Sequence, residues 1–297
     1  MTDLNHANSI IELCRRNRTA FNNAIKGIKP EIKGILHSEM LLVYSMSNIL
    51  KAKDIIEGGR ARGNSTEVLG RCYHNTDNIN ILSIEMKRYT EDSLFILKHL
   101  YKKYSNINLL FGNANILLPE LCKKSESSTV ILDGPKGENA LLLASVLLKN
   151  SNVKAVFIHD THKDSTVRKK IENIYTNTFS TDHHEYVKEF SDMDKDCWQA
   201  YKTWEGHEDW GPYKRIFMGK VLKQSYGPTL TMILNNPSGI DKTHKVLETI
   251  NQHQKINFNN TKYNALRLIL RSYIPKSKSE LKYFFSYFFM ILLKFRS

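Results

Sequence analysis

Two rhythms run along this chain. Over residues 1–50, apolar side chains recur every three or four positions, in "NSIIELCRRNRTAFNNAI" and again in "SEMLLVYSMSNILKA". That spacing lays one apolar stripe along a helix, so a helical N-terminal segment is expected. From residue 53 the rhythm changes. "DIIEGG", "NINILSIEMK", "INLLFGNAN", "STVILDGPKG" and "VKAVFIHDTH" read as five strands. "TEVLGRCYHN", "TEDSLFILKHLYKKY", "ENALLLASVLLKN" and "KDSTVRKKIENIYTN" read as helices between and after them, and "ILLPELCKK" as a short turn. The strands are apolar throughout rather than alternating, as strands buried on both faces are. Strands that alternate with helices predict a parallel sheet covered on both sides.

Beyond residue 180 the rhythm breaks. "TDHHEYVKEFSDMDKDCWQAYKTWEGHEDWGPYKR" is rich in His, Asp, Lys and aromatics. It reads as an insertion at about 181–224, over the sheet edge or the mouth of a site. "YGPTLTMIL" reads as a late strand and "NNPSG" as a turn. The expected division is a helical segment 1–50, a sheet domain 51–238 carrying that insertion, and a basic helical tail 239–297.

Polar residues gather where the apolar runs stop: Glu57-Gly58-Gly59, Glu85, Gly112-Asn113, Asp133-Gly134 and His159-Asp160. Ligands of open α/β sheets bind outside the carboxyl ends of the strands. Gly58, Gly59 and Gly63 form either a tight turn or a backbone cleared for a ligand. A carboxylate such as Glu85 can accept two hydrogen bonds from a ribose diol. The interval from Glu57 to Glu85 also admits a nicotinamide cofactor, but Gly59-Arg60-Ala61-Arg62-Gly63 departs from G-x-G-x-x-G. Arg60 and Arg62 could instead contact an anionic substrate.

On these residues, roughly 35–235 resembles the class I S-adenosylmethionine-dependent methyltransferases. Their first strand is followed by E-x-G-x-G-x-G, matched here by Glu57, Gly59, Ala61 and Gly63. Ser65-Thr66 resembles the "G-S-T" continuation of many small-molecule O-methyltransferases. Glu85 matches the family's acid after the second strand, and Gly112-Asn113-Ala114 its "G-D-A", with an amide for the acid. The resemblance implies a Rossmann-like, doubly wound, mainly parallel α/β sheet, here with helical additions at both ends. It implies S-adenosylmethionine as cofactor, held by Glu57, Gly58, Gly59, Ala61, Gly63, Ser65, Glu85, Asn113 and Asp133. A sugar-methylating subset of the family is similar in having acids at the fourth and fifth strand ends that hold a metal. Asp133 and Asp160 would then hold Mg²⁺, with His159 where such enzymes often have a second acid. Without a metal, His159 or His162 would serve as general base. Lys136 and Lys163 would bind acidic groups on the acceptor, or simply be solvated.

The net charge of +13, from 43 basic and 30 acidic residues, points to an anionic partner or to a Lys-rich compositional bias. It does not choose among nucleic acid, an acidic glycan and phospholipid head groups. Cys14, Cys72, Cys122 and Cys197 lie far apart, against a disulfide framework and for a reducing, cytoplasmic setting. "MTDLNHANSI" has no long apolar core, so no secretory signal is expected. "DHHE" at 182–185 lacks an H-x-x-x-H spacing, which argues against zinc. Trp198, Trp204 and Trp210 would form a stacking wall for a sugar or the insertion's own small core. The terminal run Tyr283–Leu293 is about half the length that spans a bilayer. Lys276, Lys278, Lys282, Lys294 and Arg296 flank it. Residues 276–297 therefore read either as an interfacial helix on an anionic membrane or as a helix docked on the body or on a second copy in a homo-oligomer.

The leading functional expectation is an O-methyltransferase acting on a carbohydrate, glycolipid or surface-glycan precursor. The alternatives are an RNA methyltransferase and a non-catalytic cofactor-fold protein at the membrane surface. Against the RNA reading, the fourth strand ends in "DGPKG" rather than an N-P-P-aromatic motif.

Overall fold

The computed structural model describes residues 7–29, 34–74, 79–100, 103–197 and 229–235. Trp198, Trp204, Trp210, the rest of the insertion up to 228, the "NNPSG" turn after Asn235 and the tail 239–297 lie outside the described residues.

Helices α1 (Ala7–Ile25) and α2 (His37–Ile49) come first. Then β1 (Asp54–Gly58), α3 (Asn64–Cys72), β2 (Asn80–Glu85), α4 (Glu91–Leu100) and β3 (Ile107–Phe111) build one half of the sheet. Helix α5 (Ala114–Lys124) leads to the other half: β4 (Ser128–Leu132), α6 (Glu138–Leu147), β5 (Val153–Ile158), α7 (Thr166–Ile174), β6 (Thr178–Ser180), α8 (His184–Phe190) and β7 (Thr231–Leu234). The strand order is β3-β2-β1-β4-β5-β7-β6. Strands β1 to β5 are parallel, and β7 runs antiparallel between β5 and β6. This is the mainly parallel, Rossmann-like α/β sheet expected.

Alternate residues of each strand feed opposite cores. Ile55, Ile81, Ile131, Ala155 and Phe157 join side chains of α1, α2, α3 and α8. Their neighbours Ile56, Ile84, Val130, Val156 and Ile158 join α5, α6 and α7. Each fully buried aliphatic side chain contributes about 1.5–3 kcal/mol, so both faces are held strongly. Tyr186, Val187 and Phe190 of α8 are buried, and the Tyr186 hydroxyl donates to the Ser38 carbonyl at 2.7 Å. The part of the insertion that begins at α8 therefore packs on α2. All four cysteines are free thiols. Among the described residues no helix is long and apolar enough to cross a membrane.

Two elements differ from expectation. "ILLPELCKK" is no short turn but most of α5, with Pro119 inside the helix. Proline removes one backbone donor and crowds the preceding turn. The helix persists because the Asn113 side chain caps it and Ala114, Leu118 and Cys122 are buried. "TFS", unassigned by the sequence pattern, is the edge strand β6. At three residues it is too short to show a period.

Candidate active site

The chain leaves β1 through Gly59 (φ +90°) and Ala61 (φ +45°), and enters α3 through Gly63 (φ +77°). These glycines face protein. A Cβ on Gly59 would lie 2.3 Å from the Gly134 nitrogen, and one on Gly58 2.9 Å from the Gly134 oxygen. One on Gly63 would meet Ile96 Cδ1 at 1.9 Å. The Asp133 and Gly134 amides both donate to the Gly58 carbonyl at 2.9 Å. Gly58 and Gly59 are thus required because the loops after β1 and β4 close against each other, backbone on backbone.

Glu57 is wholly buried. Its carboxylate accepts from Thr66 Oγ1 at 2.5 Å, from Ser83 Oγ at 2.6 Å and from the Ser65 hydroxyl. Burial pushes its pKa up and the hydroxyls pull against that rise. Glu57 and Ser65 therefore pin the start of α3 and the middle of β2 to β1.

Glu85, half-buried at the end of β2, accepts the Ala61 and Met86 amides at 2.8 Å each. A carboxylate offers about four lone-pair sites, so these two bonds fix Glu85 and leave acceptor capacity. The Asn113 side chain accepts from the Asn115 amide at 2.9 Å as the cap of α5. Arg60 is turned inward: its guanidinium donates to the carbonyls of Ser83 and Leu110 and lies 4.8 Å from the Phe111 ring centre. Arg62 pairs with Asp92 at 3.6 Å and lies 4.4 Å from the Phe95 ring centre. Both arginines make contacts within the protein.

The charged centre forms where β4 and β5 end. Leu132 pairs with Ile158 in register, so the residues that follow, Asp133 and His159, come side by side. His159 Nδ1 is 2.6 Å from Asp133 Oδ1, and its Nε2 is 3.4 Å from Glu39 Oε2. Glu39 comes from α2, is wholly buried and accepts the Leu36 amide at 2.8 Å. The Lys136 ammonium contacts Asp133 Oδ1 and lies 2.5 Å from Asp160 Oδ2. Asp160 holds φ at +60°, a strained conformation for a residue with a side chain.

Burial alone would strip the His159 proton, but Asp133 and Glu39 outweigh it and raise its pKa to about 10. At neutral pH His159 is therefore an imidazolium, 3% exposed. It has no lone pair with which to accept a proton, and the expectation of a base at His159 is replaced by a fixed positive charge. Asp133 is held below its usual range, because His159 and Lys136 outweigh the effect of burial. Burial likewise opposes the Lys136 charge, but Asp133 and Asp160 more than offset it. Glu39 is pushed up by burial, against the pull of His159. The groups that open outward are Asp160, with 34% of its side chain exposed, Lys136, with 49%, and half-buried His162.

Asp133, His159 and Asp160 each present a ligand atom within 4.8 Å of the others. This donor set does not fit Mg²⁺. The Lys136 ammonium stands where the two carboxylates converge, and both nitrogens of an imidazolium are donors. Among the described residues no other group of this kind occurs.

Glu39 was not among the sequence-derived candidates. Its signal was a lone carboxylate within the apolar "SEMLLVYSM".

No protein-family model matches the chain, and no curated protein matches it. Solved structures similar to it include the O-methyltransferase TomG from Streptomyces achromogenes, involved in tomaymycin synthesis and in complex with SAM. That likeness is 14% identity over 76% of this chain and 90% of the other, with a TM-score of 0.42. An SAH-bound methyltransferase from Podospora anserina is 14% identical over 80% of this chain and 89% of its own, with a TM-score of 0.37. At this identity and overlap they assign neither cofactor nor acceptor to this chain.

Proposed function

We propose that the chain is an S-adenosylmethionine-dependent O-methyltransferase acting on a carbohydrate or surface-glycan precursor. The observation that carries the cofactor half is Glu85. It stands at the carboxyl end of β2, near the point between β1 and β4 where the strand order reverses and open α/β sheets bind ligands. Two backbone amides fix its carboxylate, which keeps acceptor capacity for a ribose diol. The carbohydrate half rests on the sequence: the Asp133 and Asp160 pair at the strand ends, the Trp-rich segment and the basic, aromatic tail at 276–297.

Bound at this edge, the cofactor supplies an electrophilic methyl group on a sulfonium. Glu85 would hold its ribose, and the loop from Gly58 to Gly63, pinned from beneath by Glu57, would fix its position. A hydroxyl acceptor would have to give up its proton to receive that methyl group, which calls for a base at this edge. Asp160, the half-buried carboxylate of the centre that reaches solvent, would accept that proton. Lys136 and His159 hold Asp133 and Asp160 together against their mutual repulsion.

Calorimetry with S-adenosylmethionine tests the reading. The full chain should bind it, and Glu85→Ala should weaken binding about tenfold or more, since a hydrogen bond to a charged group contributes about 1.5–3 kcal/mol. Glu85→Gln, which keeps an acceptor for the Ala61 amide, should lose less. Absence of binding by the parent overturns the function, and unchanged affinity in Glu85→Ala overturns the ribose assignment.

A further inference from the structure

We propose that Lys136 is a resident counter-cation, standing where a divalent ion would have to sit, and that it closes the Asp133–Asp160 pair to metals. Two carboxylates from the ends of adjacent strands converge on one ammonium, with Nζ in contact with Asp133 Oδ1 and 2.5 Å from Asp160 Oδ2. Carboxylates brought this near must share a proton, bind a cation or face a fixed one. Here the chain supplies the fixed one, three residues after Asp133. The same oxygen, Asp133 Oδ1, also lies 2.6 Å from His159 Nδ1.

Each of the two acids therefore already meets a cation. A divalent ion would have to displace the ammonium before it could reach the two carboxylates, which together with water are enough to hold Mg²⁺ or Mn²⁺. Lysine suits the role because its charge is compact and makes no planar demand on its partners. The converse also follows. Without the ammonium, the same convergence of oxygens, with uncompensated charge, becomes a cation site. The inference concerns charge balance within the chain and holds whatever group the protein transfers.

Mn²⁺ titration of the full-length chain, followed by the electron paramagnetic resonance of free Mn²⁺, tests it. The parent should show no saturable site at millimolar Mn²⁺. Lys136→Met should bind one equivalent at least about tenfold more tightly than the parent, through the attraction the ammonium had cancelled. Adding Asp160→Asn to Lys136→Met should abolish the gain. A saturable site in the parent that Asp160→Asn removes overturns the proposal, as does a folded Lys136→Met variant no tighter than the parent. If Lys136→Met lacks the native circular dichroism, the parent and Asp160→Asn titrations decide alone. The readout is metal binding, so failure here leaves the S-adenosylmethionine calorimetry untouched.

Discussion

Raising the pH should destabilise this protein by discharging His159. The imidazole sits between Asp133 and Glu39, and its pKa stands at about 10 against the ordinary 6.5. A folded-state value above the unfolded one means that the native chain holds the proton more tightly. The resulting stability is fully present below pH 6.5 and is lost as the pH rises through about 10. Between those limits the native state binds one proton more than the unfolded state, so the unfolding free energy falls by up to about 1.4 kcal/mol per pH unit. Over the window this caps the contribution near 5 kcal/mol. Glu39, buried and pushed upward, offsets part of it, so the net contribution lies below that cap, still a sizeable share of the roughly 5–15 kcal/mol typical of a domain. Urea unfolding followed by circular dichroism from about pH 6 to 10.5 measures the slope. Lysines and tyrosines titrate in the same range, so the informative quantity is the difference between the parent and His159→Gln. Glu39→Gln should shift the downturn to lower pH. Parallel stability curves for the parent and His159→Gln would refute the reasoning. So would imidazole nitrogen shifts showing a neutral His159 in the folded chain at neutral pH.

On the acid side, Asp133 contributes stability that is present above 3.8 and lost as the pH falls through its lowered pKa; Asp133→Asn should therefore flatten the acid limb of the same curve. Gly59→Ala should cost about 2–4 kcal/mol, because it puts a Cβ 2.3 Å from the Gly134 nitrogen at φ +90°; a loss below about 1 kcal/mol in the urea midpoint would show that the loops are not in contact. Glu57→Gln, which weakens charge-assisted bonds from three buried hydroxyls, should cost about 2–4 kcal/mol by the same assay. Asp160→Asn should lower turnover about a hundredfold or more while leaving cofactor affinity within about twofold; equal losses in both would remove Asp160 from proton transfer.

The strand scaffold was legible because β1, β4 and β5 are buried on both faces, and such strands announce themselves as unbroken apolar runs. The ends of those runs also marked where Glu85, Asp133, His159 and Asp160 would lie. Edge strand β6 and helix α5 escaped for local reasons, the first being too short for a period and the second carrying Pro119. Roles were harder to read than places. Glu57 has the position of a ligand-binding acid, yet Ser65, Thr66 and Ser83 consume its carboxylate. Gly58 and Gly59 look like a clearing for a ligand, yet the Gly134 backbone fills the space.

What the sequence determined by itself is the alternation of elements and the edge at which polar side chains collect, because periodicity is a property of neighbours along the chain. What only the tertiary structure decided is who pairs with whom at that edge. Glu39 reaches His159 because α2 packs across the sheet onto the ends of β4 and β5. His159 keeps its proton because two carboxylates from different elements outweigh its burial. Lys136 meets both Asp133 and Asp160 because β4 and β5 end in register. Charge interactions act through space and depend steeply on burial and distance, and neither quantity is written in the spacing of residues along the chain.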